Sequence, residues 1–119
     1  MKKVLAIIGA RPQFIKHAPV EIAFQDKALL VSVHTGQHYD HNMSQIFFDE
    51  LGMSLPSYKL NIGSHNHGIQ TGQMMIELET IVQDEKPNAI LVYGDTNSTL
   101  AGALVGAKLN VPVIHIEAG

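Results

Sequence analysis

The sequence predicts a single α/β domain built on a parallel sheet with helices on both faces. Short apolar runs alternate along the chain with longer segments of helical period, which is typical of such a domain. The length of 119 residues suits one domain and is too short for two ordinary ones. A hydrophobic content of 45 % supplies a core, and a charged content of 16 % is that of a globular protein. Right-handed crossovers between parallel strands then predict the strand order 3-2-1-4-5.

The start of the chain is predicted to form a strand followed by a helix. Residues 3–8 are largely apolar and form the first predicted strand. A helix is predicted over about 13–25, with Pro12 near its first turn, where proline is tolerated. Pro19 falls inside this helix and should kink it or delay its regular part. The predicted inner face consists of Ile15, Ala18 and Ile22.

A strand, a helix and a short strand come next. Residues 29–34 form the second predicted strand, and residues 40–51 form a helix that ends at Gly52. The apolar face of that helix comprises Met43, Ile46, Phe47 and Leu51. Residues 58–60 are taken as the third strand, and a polar loop follows over residues 61–67.

The second half of the chain continues the alternation with longer helices. A helix is predicted over about 69–84, and a helix over 98–109 lies between strands at 89–94 and 111–116. The apolar stripe of the first helix comprises Met74, Met75, Leu78, Ile81 and Val82. The predicted inner face of the second comprises Leu100, Ala103, Leu104 and Ala107. Because the chain stops directly after a strand, without a crossover helix, we expect it to be part of a longer protein.

Charged side chains stand at the ends of three predicted strands. Asp95 and Glu117 each follow an apolar run directly, and Arg11 comes soon after the first strand. The carboxyl ends of parallel strands share one edge of the sheet, where the ligands of open α/β sheets bind. The fork of an arginine suits phosphate oxygens, and Lys16 lies about a turn further along the same helix. These residues indicate a site for a phosphate-bearing substrate that undergoes proton chemistry.

Each of these residues also has a structural interpretation. Asp95 or Asn97 would be a suitable N-cap, since both lie just before the predicted helix. Arg11 and Lys16 would then be surface residues with structural partners. Glu117 is harder to explain in this way, because an acid that closes an apolar strand needs a partner or access to solvent.

The composition disfavours several other classes of protein. Eight basic and eleven acidic side chains give a net charge of −3 without a basic cluster, so no nucleic acid and no anionic membrane is expected as a partner. The absence of cysteine excludes disulfides and thiolate chemistry. No apolar run approaches the roughly 18 residues that span a bilayer. Neither the Gly-x-Gly-x-x-Gly fingerprint nor the Gly-Lys-Ser/Thr loop occurs, which disfavours a dinucleotide site and a nucleoside triphosphatase.

The sequence contains seven histidines, which raises the question of a metal site. The closely spaced pairs are His38 with His41, and His65 with His67. Neither pair has a third ligand at a recognised spacing, so no metal is expected. His34 is predicted to be a structural residue, and His115 is predicted to point to the opposite face of its strand from Ile114 and Ile116.

Four motifs together resemble a known family. They are Gly-Ala-Arg-Pro-Gln-Phe-Ile-Lys-His-Ala-Pro at 9–19, Thr-Gly-Gln-His at 35–38, Gly-Asp-Thr-Asn-Ser-Thr-Leu at 94–100, and His-Ile-Glu-Ala-Gly at 115–119. In their order and spacing they resemble the non-hydrolysing UDP-N-acetylglucosamine 2-epimerases, and the resemblance runs from end to end of the chain. It implies a Rossmann-like domain, the N-terminal half of a two-domain enzyme of the glycosyltransferase-B type. The C-terminal, UDP-binding domain would lie beyond Gly119.

The resemblance also implies an activity and a set of site residues. The family interconverts UDP-N-acetylglucosamine and UDP-N-acetylmannosamine by elimination and re-addition of UDP, through 2-acetamidoglucal. Asp95 and Glu117 would be catalytic, whereas Arg11 and Lys16 would bind the substrate. No cofactor or metal is required, since nothing is oxidised. The parent protein would be a cytoplasmic homodimer that takes a UDP-sugar for polysaccharide biosynthesis, and the isolated chain would be inactive.

The chain departs from the family pattern in two places. Ala10 and Gln13 replace the commonest Thr and Glu of the first motif, which leaves the particular sugar open. Residues 39–42 replace a shorter, Arg-containing stretch that many members associate with an activating second substrate molecule. Allosteric activation is therefore not expected.

Two other functions remain as alternatives. A glycosyltransferase of the same two-domain architecture would pass the sugar to an acceptor instead of epimerising it. A flavodoxin-like signalling module would need clustered acids after the first strand, where this chain has Gly-Ala-Arg-Pro at 9–12.

Overall fold

The structure, a computed structural model, describes residues 2–9, 11–36, 45–60, 62 and 66–116, without the side chains of residues 11 and 45–47. Its strands are β1 (Lys2–Ile8), β2 (Ala28–His34), β3 (Tyr58–Lys59), β4 (Ala89–Tyr93) and β5 (Val113–Ile116). Its helices are α1 (Arg11–Phe24), α2 (Gln45–Leu51), α3 (His67–Glu85) and α4 (Asn97–Lys108). The alternation predicted from the sequence is confirmed.

The five strands form one sheet in the order β3-β2-β1-β4-β5, and every pair is parallel. This confirms the predicted order. The chain order reverses between β1 and β4, where α1 and α4 leave for opposite faces of the sheet. Such a switch point opens a crevice at the carboxyl ends of the two strands.

The core has two halves, one on each face of the sheet. Successive strand residues point to opposite faces, so Leu5 and Ile7 of β1 pack with α3 and α4. Val4, Ala6 and Ile8 pack on the other face, with Phe14 of α1 and Phe48 of α2. Strands covered on both faces are apolar at consecutive positions, which is why the sequence shows them as continuous runs.

The inner face predicted for α4 is wrong. Leu100 is 51 % exposed and Leu104 is 36 % exposed, and neither lies against the sheet. The buried positions are Ser98, Ala101, Gly102, Val105 and Gly106. A Cβ added at Gly102 would lie 2.8 Å from side-chain carbons of Ile7 and Val92, so only glycine allows this close approach. The helix therefore turns its smallest residues to the sheet and its leucines outward.

The predicted inner face of α1 is also wrong in part. Ala18 is buried as expected, but Ile15 and Ile22 are 51 % and 56 % exposed. Their places are taken by Phe14 and by two polar side chains, Gln13 and His17, which the next section describes. The helix runs from Arg11 to Phe24 through Pro19, so the proline does not delay its regular part.

The remaining helices follow the prediction more closely. The described part of α2 ends before Gly52, whose φ of 69° suits a glycine stop, whereas residues 40–44 lie outside the described residues. Among the α2 side chains that the structure describes, Phe48, which the predicted stripe omitted, is buried, and Leu51 is partly buried. The predicted positions Met43, Ile46 and Phe47 have no described side chain. In α3 the predicted positions are buried except Met75, which is partly buried, and Gln70 joins them.

Candidate functional site

The candidate site lies at the carboxyl edge of the sheet, around the turn between β4 and α4. Gly94, with a φ of 66°, directs the chain out of β4, and α4 begins at Asn97. Asp95 is exposed between them. Since each helix follows a parallel strand, the helix N-termini also lie at this edge, where their free N–H groups favour anions.

Asp95 does not cap α4, and neither does Asn97. The N-cap is Thr96, whose N–H donates to Oγ1 of Thr99 at 3.2 Å. Thr99 Oγ1 in turn donates to the carbonyl oxygen of Tyr93. The cap interpretation of Asp95 and Asn97 is therefore wrong. Among the described residues, no side chain forms a hydrogen bond or ion pair with the Asp95 carboxylate, which is open to a ligand.

Gln13 bridges the ends of β1 and β4 from beneath this turn. Its side chain is only 6 % exposed. Oε1 accepts a hydrogen bond from the N–H of Gly9 at 2.7 Å, and Nε2 donates to the carbonyl oxygen of Tyr93 at 3.0 Å. Nε2 also lies 3.3 Å from Oγ1 of Thr96. One buried amide thus holds together the two loops of the switch point.

Three further polar contacts join the start of α4 to its neighbours. Thr35, directly after β2, and Ser98 are buried and share a hydrogen bond of 2.9 Å between their hydroxyls. Asn97 donates to Oε1 of Gln70 at 2.6 Å and lies 2.9 Å from Nδ1 of His67, both on the first turns of α3. These contacts fix the end of α4 next to Asp95.

A titratable pair lies in the core below the turn. Nδ1 of His17 and the hydroxyl of Tyr93 are 2.5 Å apart, and the two rings meet edge to face. Burial lowers the pKa of His17, while the charge of Glu21 opposes that shift. Burial, and then Glu21, raises the pKa of Tyr93. Both groups are therefore uncharged at neutral pH.

A groove of about 440 Å³ runs from Asp95 along α4 to β5. Val113 and His115 line it from β5, and Nε2 of His115 lies 2.6 Å from the carbonyl oxygen of Gly94. Ile116 packs into the opposite half of the core, so His115 points away from it, as predicted. His34 is fully buried and stacks on Phe14, in keeping with its predicted structural role.

The structure describes only part of the predicted site. Arg11 is the first residue of α1, at the carboxyl edge of the sheet, and its side chain lies outside the description. Lys16 is exposed on α1. Glu117 lies outside the described residues, directly after Ile116, which is in register with Tyr93. The backbone therefore places Arg11 and Asp95 at the same edge of the sheet, although the position of the Arg11 side chain is not described.

Sequence reasoning missed the polar framework of the site. Gln13 and His17 lie in the motif at 9–19 and Thr35 lies in the motif at 35–38, but no apolar period marks these three residues as buried. Of the predicted histidine pairs, only His67 is described. No group of three or more potential metal ligands occurs among the described side chains. In the parts of the chain that the structure describes, no helix combines the length and apolar character needed to cross a membrane.

Comparison with known proteins gives a consistent result. Residues 21–119 match the family model for UDP-N-acetylglucosamine 2-epimerase. A UDP-N-acetylglucosamine 2-epimerase homolog of Methanococcus maripaludis is 56 % identical over 98 % of this chain and 33 % of its own length. A UDP-2,3-diacetamido-2,3-dideoxy-D-glucuronate 2-epimerase of Pseudomonas aeruginosa is also 56 % identical, over 98 % of this chain and 34 % of its own length.

A solved structure agrees with these relatives. The Methanocaldococcus jannaschii UDP-GlcNAc 2-epimerase, in complex with UDP-GlcNAc and UDP, superposes with a TM-score of 0.91 at 49 % identity. The match covers 98 % of this chain and 33 % of that one. The chain thus spans about a third of the length of the relatives it matches.

Proposed function

Because the chain belongs to the UDP-N-acetylglucosamine 2-epimerase family, we propose that it is the N-terminal domain of an enzyme that epimerises a UDP-sugar at C2. Residues 1–119 would form one wall of a cleft, and a C-terminal, UDP-binding domain would form the other. The favoured reaction interconverts UDP-N-acetylglucosamine and UDP-N-acetylmannosamine. The observation that carries this proposal is the Asp95 carboxylate, exposed at the switch point and not consumed in capping α4.

The reaction explains why such a site needs both acids and cations. The C2 proton of a pyranoside is not acidic enough for direct removal. If UDP departs with the electrons of the C1–O bond while a base takes the C2 proton, the C2–H electrons form the C1–C2 double bond of 2-acetamidoglucal. Return of UDP to C1 and delivery of a proton to the other face of C2 complete the epimerisation. Acid and base groups are therefore needed on both faces of the ring.

The residues at the carboxyl edge divide between these tasks. Asp95 and Glu117 handle the C2 proton on its removal and return. Arg11 and Lys16 bind the pyrophosphate, and their charge stabilises the departing UDP. The N-terminus of α1, which begins at Arg11, adds its free N–H groups to the same anion. No step oxidises or reduces the sugar, so the proposal needs no cofactor and no metal.

A second substrate has specific support. The P. aeruginosa relative, named for UDP-2,3-diacetamido-2,3-dideoxy-D-glucuronate, is as similar to this chain as the M. maripaludis homolog is. Its name describes the same inversion at C2 of another UDP-sugar. Gln13 departs from the commonest family residue, in keeping with a subgroup of different sugar preference.

The test uses the full-length protein that contains this domain, in deuterated water. Each of the two UDP-sugars is supplied alone, and the C2 epimer and the deuterium at C2 are measured by NMR. An epimerase incorporates deuterium without an acceptor, whereas a glycosyltransferase of the same architecture does not. Absence of deuterium exchange with both UDP-sugars would refute the proposed function. If exchange occurs, the UDP-sugar that exchanges faster is the preferred substrate.

We also propose that the full-length protein is a cytoplasmic homodimer. Ile69 and Ile76 lie one above the other on α3 and are 52 % and 70 % exposed, which is unusual for large apolar side chains on one helix face. A second copy of the protein would cover them. Light scattering should give twice the monomer mass, and Ile76→Glu should lower it. A monomeric wild-type protein would contradict this proposal.

A further inference from the structure

We propose that Gln13 is a positioning residue for the epimerisation, because it joins the loop that leads to Arg11 to the loop that carries Asp95. The inference rests on the proposed function and extends it to a side chain that does not touch the substrate. It would hold the phosphate-binding start of α1 and the acid after β4 at a fixed separation.

The sheet itself does not provide this link. The last residues of β1 and β4 that are in register are Ile7 and Val92. Beyond them the two chains part, since α1 packs on one face of the sheet and α4 on the other. The amide of Gln13 crosses this gap, with one hydrogen bond to Gly9 and one to Tyr93. Tyr93 is two residues before Asp95, so a shift at its carbonyl moves the acid.

The two bonds require an acceptor and a donor on the same side chain. Oε1 of Gln13 meets a backbone N–H, whereas Nε2 meets a backbone carbonyl oxygen. A neutral amide supplies both. A glutamate supplies the donor only when it is protonated. When ionised, it would place an oxygen opposite the Tyr93 carbonyl in a site that is almost closed to water.

The experiment compares Gln13→Met and Gln13→Glu with the wild type in the full-length enzyme. Gln25→Glu, at an exposed position just past the end of α1, is the matched control. Gln13→Met should lower kcat by about 10- to 100-fold at every pH, the scale on which misplacement by about 1 Å acts. KM should change by less than about threefold, because the cations that bind the phosphates remain.

Gln13→Glu adds a readout that a merely structural role would not move. Its kcat should fall relative to wild type as the pH rises, because the carboxyl group loses the proton that it donates to Tyr93. Gln25→Glu should keep the wild-type pH profile. Melting temperatures identify which variants are folded, and Gln13→Met, which buries no charge, remains informative if Gln13→Glu does not fold.

The outcomes separate this inference from the proposed function. A wild-type enzyme that fails to epimerise either UDP-sugar refutes the function, and the inference with it. If the wild type is active, a folded Gln13→Met variant with wild-type kcat refutes the inference alone. A pH profile of Gln13→Glu that coincides with that of Gln25→Glu would also overturn it.

Discussion

The side chains of His17 and Tyr93 share a hydrogen bond of 2.5 Å in the core. Tyr93 is the last residue of β4 and lies two residues before Asp95. Neither His17 nor Tyr93 belongs to the set of proton-transfer residues proposed above. Burial disfavours the charged form of each group, so the pKa of His17 is lowered and that of Tyr93 is raised. The pair is therefore uncharged and packs beneath the turn that carries Asp95. Because His17 titrates differently in the folded and unfolded states, the pair also makes the stability of the domain depend on pH.

We expect this domain to lose stability as the pH falls from about 7 to 5. In the unfolded chain His17 takes up a proton near the ordinary histidine pKa of 6.5, whereas the folded protein resists protonation until a lower pH. The unfolded state therefore binds more protons in this interval, and stability rises with pH there. His17→Gln, which keeps a polar side chain without this titration, should flatten the dependence. Thermal melts across this range test it, and equal slopes for variant and wild type would contradict it.

The glycines of α3 and α4 should respond oppositely to alanine. A Cβ at Gly106 would lie 2.5 Å from Cγ2 of Val113, so Gly106→Ala overpacks the contact with β5 at a cost of about 1–3 kcal/mol. The higher helix propensity of alanine offsets at most about 1 kcal/mol of this. At Gly72 of α3 nothing lies within 4 Å of the added carbon, so Gly72→Ala should stabilise by up to about 1 kcal/mol. Urea denaturation measures the change in the free energy of unfolding for both variants. If both variants were stabilised, or both destabilised, the prediction would be contradicted.

The sheet could be predicted from the sequence more fully than the helices. Its strands are buried on both faces, so each appears as an apolar run, and the handedness of crossovers then limits the order. Helix faces were predicted from large apolar residues. That rule fails for α4, where Gly102 and Gly106 face the sheet and Leu100 faces outward. It also fails for α1, where the hydrogen bonds of Gln13 make its burial possible.

The sequence was sufficient to predict which loop carries the candidate site, but not the role of each side chain in that loop. The strand-end rule indicated the turn that carries Asp95. It could not identify the cap, because residues 95–98 are Asp, Thr, Asn and Ser, all good N-caps, and only the geometry selects Thr96. The bridge formed by Gln13 joins residues some 80 positions apart, a relation that local periodicity does not contain.

The isolated chain of 119 residues should have no epimerase activity. Under the proposed function it supplies one wall of a cleft, and most of the groups that bind the nucleotide lie on the other. Its affinity for UDP should accordingly be weak. Turnover is measured by NMR with purified chain, free of host epimerase, and binding is measured by calorimetry. Measurable turnover of the UDP-sugar by the purified chain would contradict this prediction.

The sharpest prediction concerns the two acids in the full-length protein. Asp95→Asn and Glu117→Gln preserve shape but remove the capacity to exchange protons. Each should lower the rate by about 100-fold or more, as expected when a general acid or base is deleted. Substrate affinity should change much less, because Arg11 and Lys16 remain. Arg11→Ala should instead weaken both the binding and the departure of UDP.

Three measurements distinguish these effects: deuterium wash-in at C2, calorimetric binding of the UDP-sugar, and detection of free 2-acetamidoglucal. A variant in which UDP departs but re-addition stalls should release the glucal. Asp26→Asn is the matched control, since it also neutralises an acid and its φ of 67° is one that asparagine tolerates. It should exchange at the wild-type rate. If both acid variants match Asp26→Asn in isotope exchange, Asp95 and Glu117 are not the proton-transfer groups. The exposed carboxylate at the switch point would then serve only to bind the sugar.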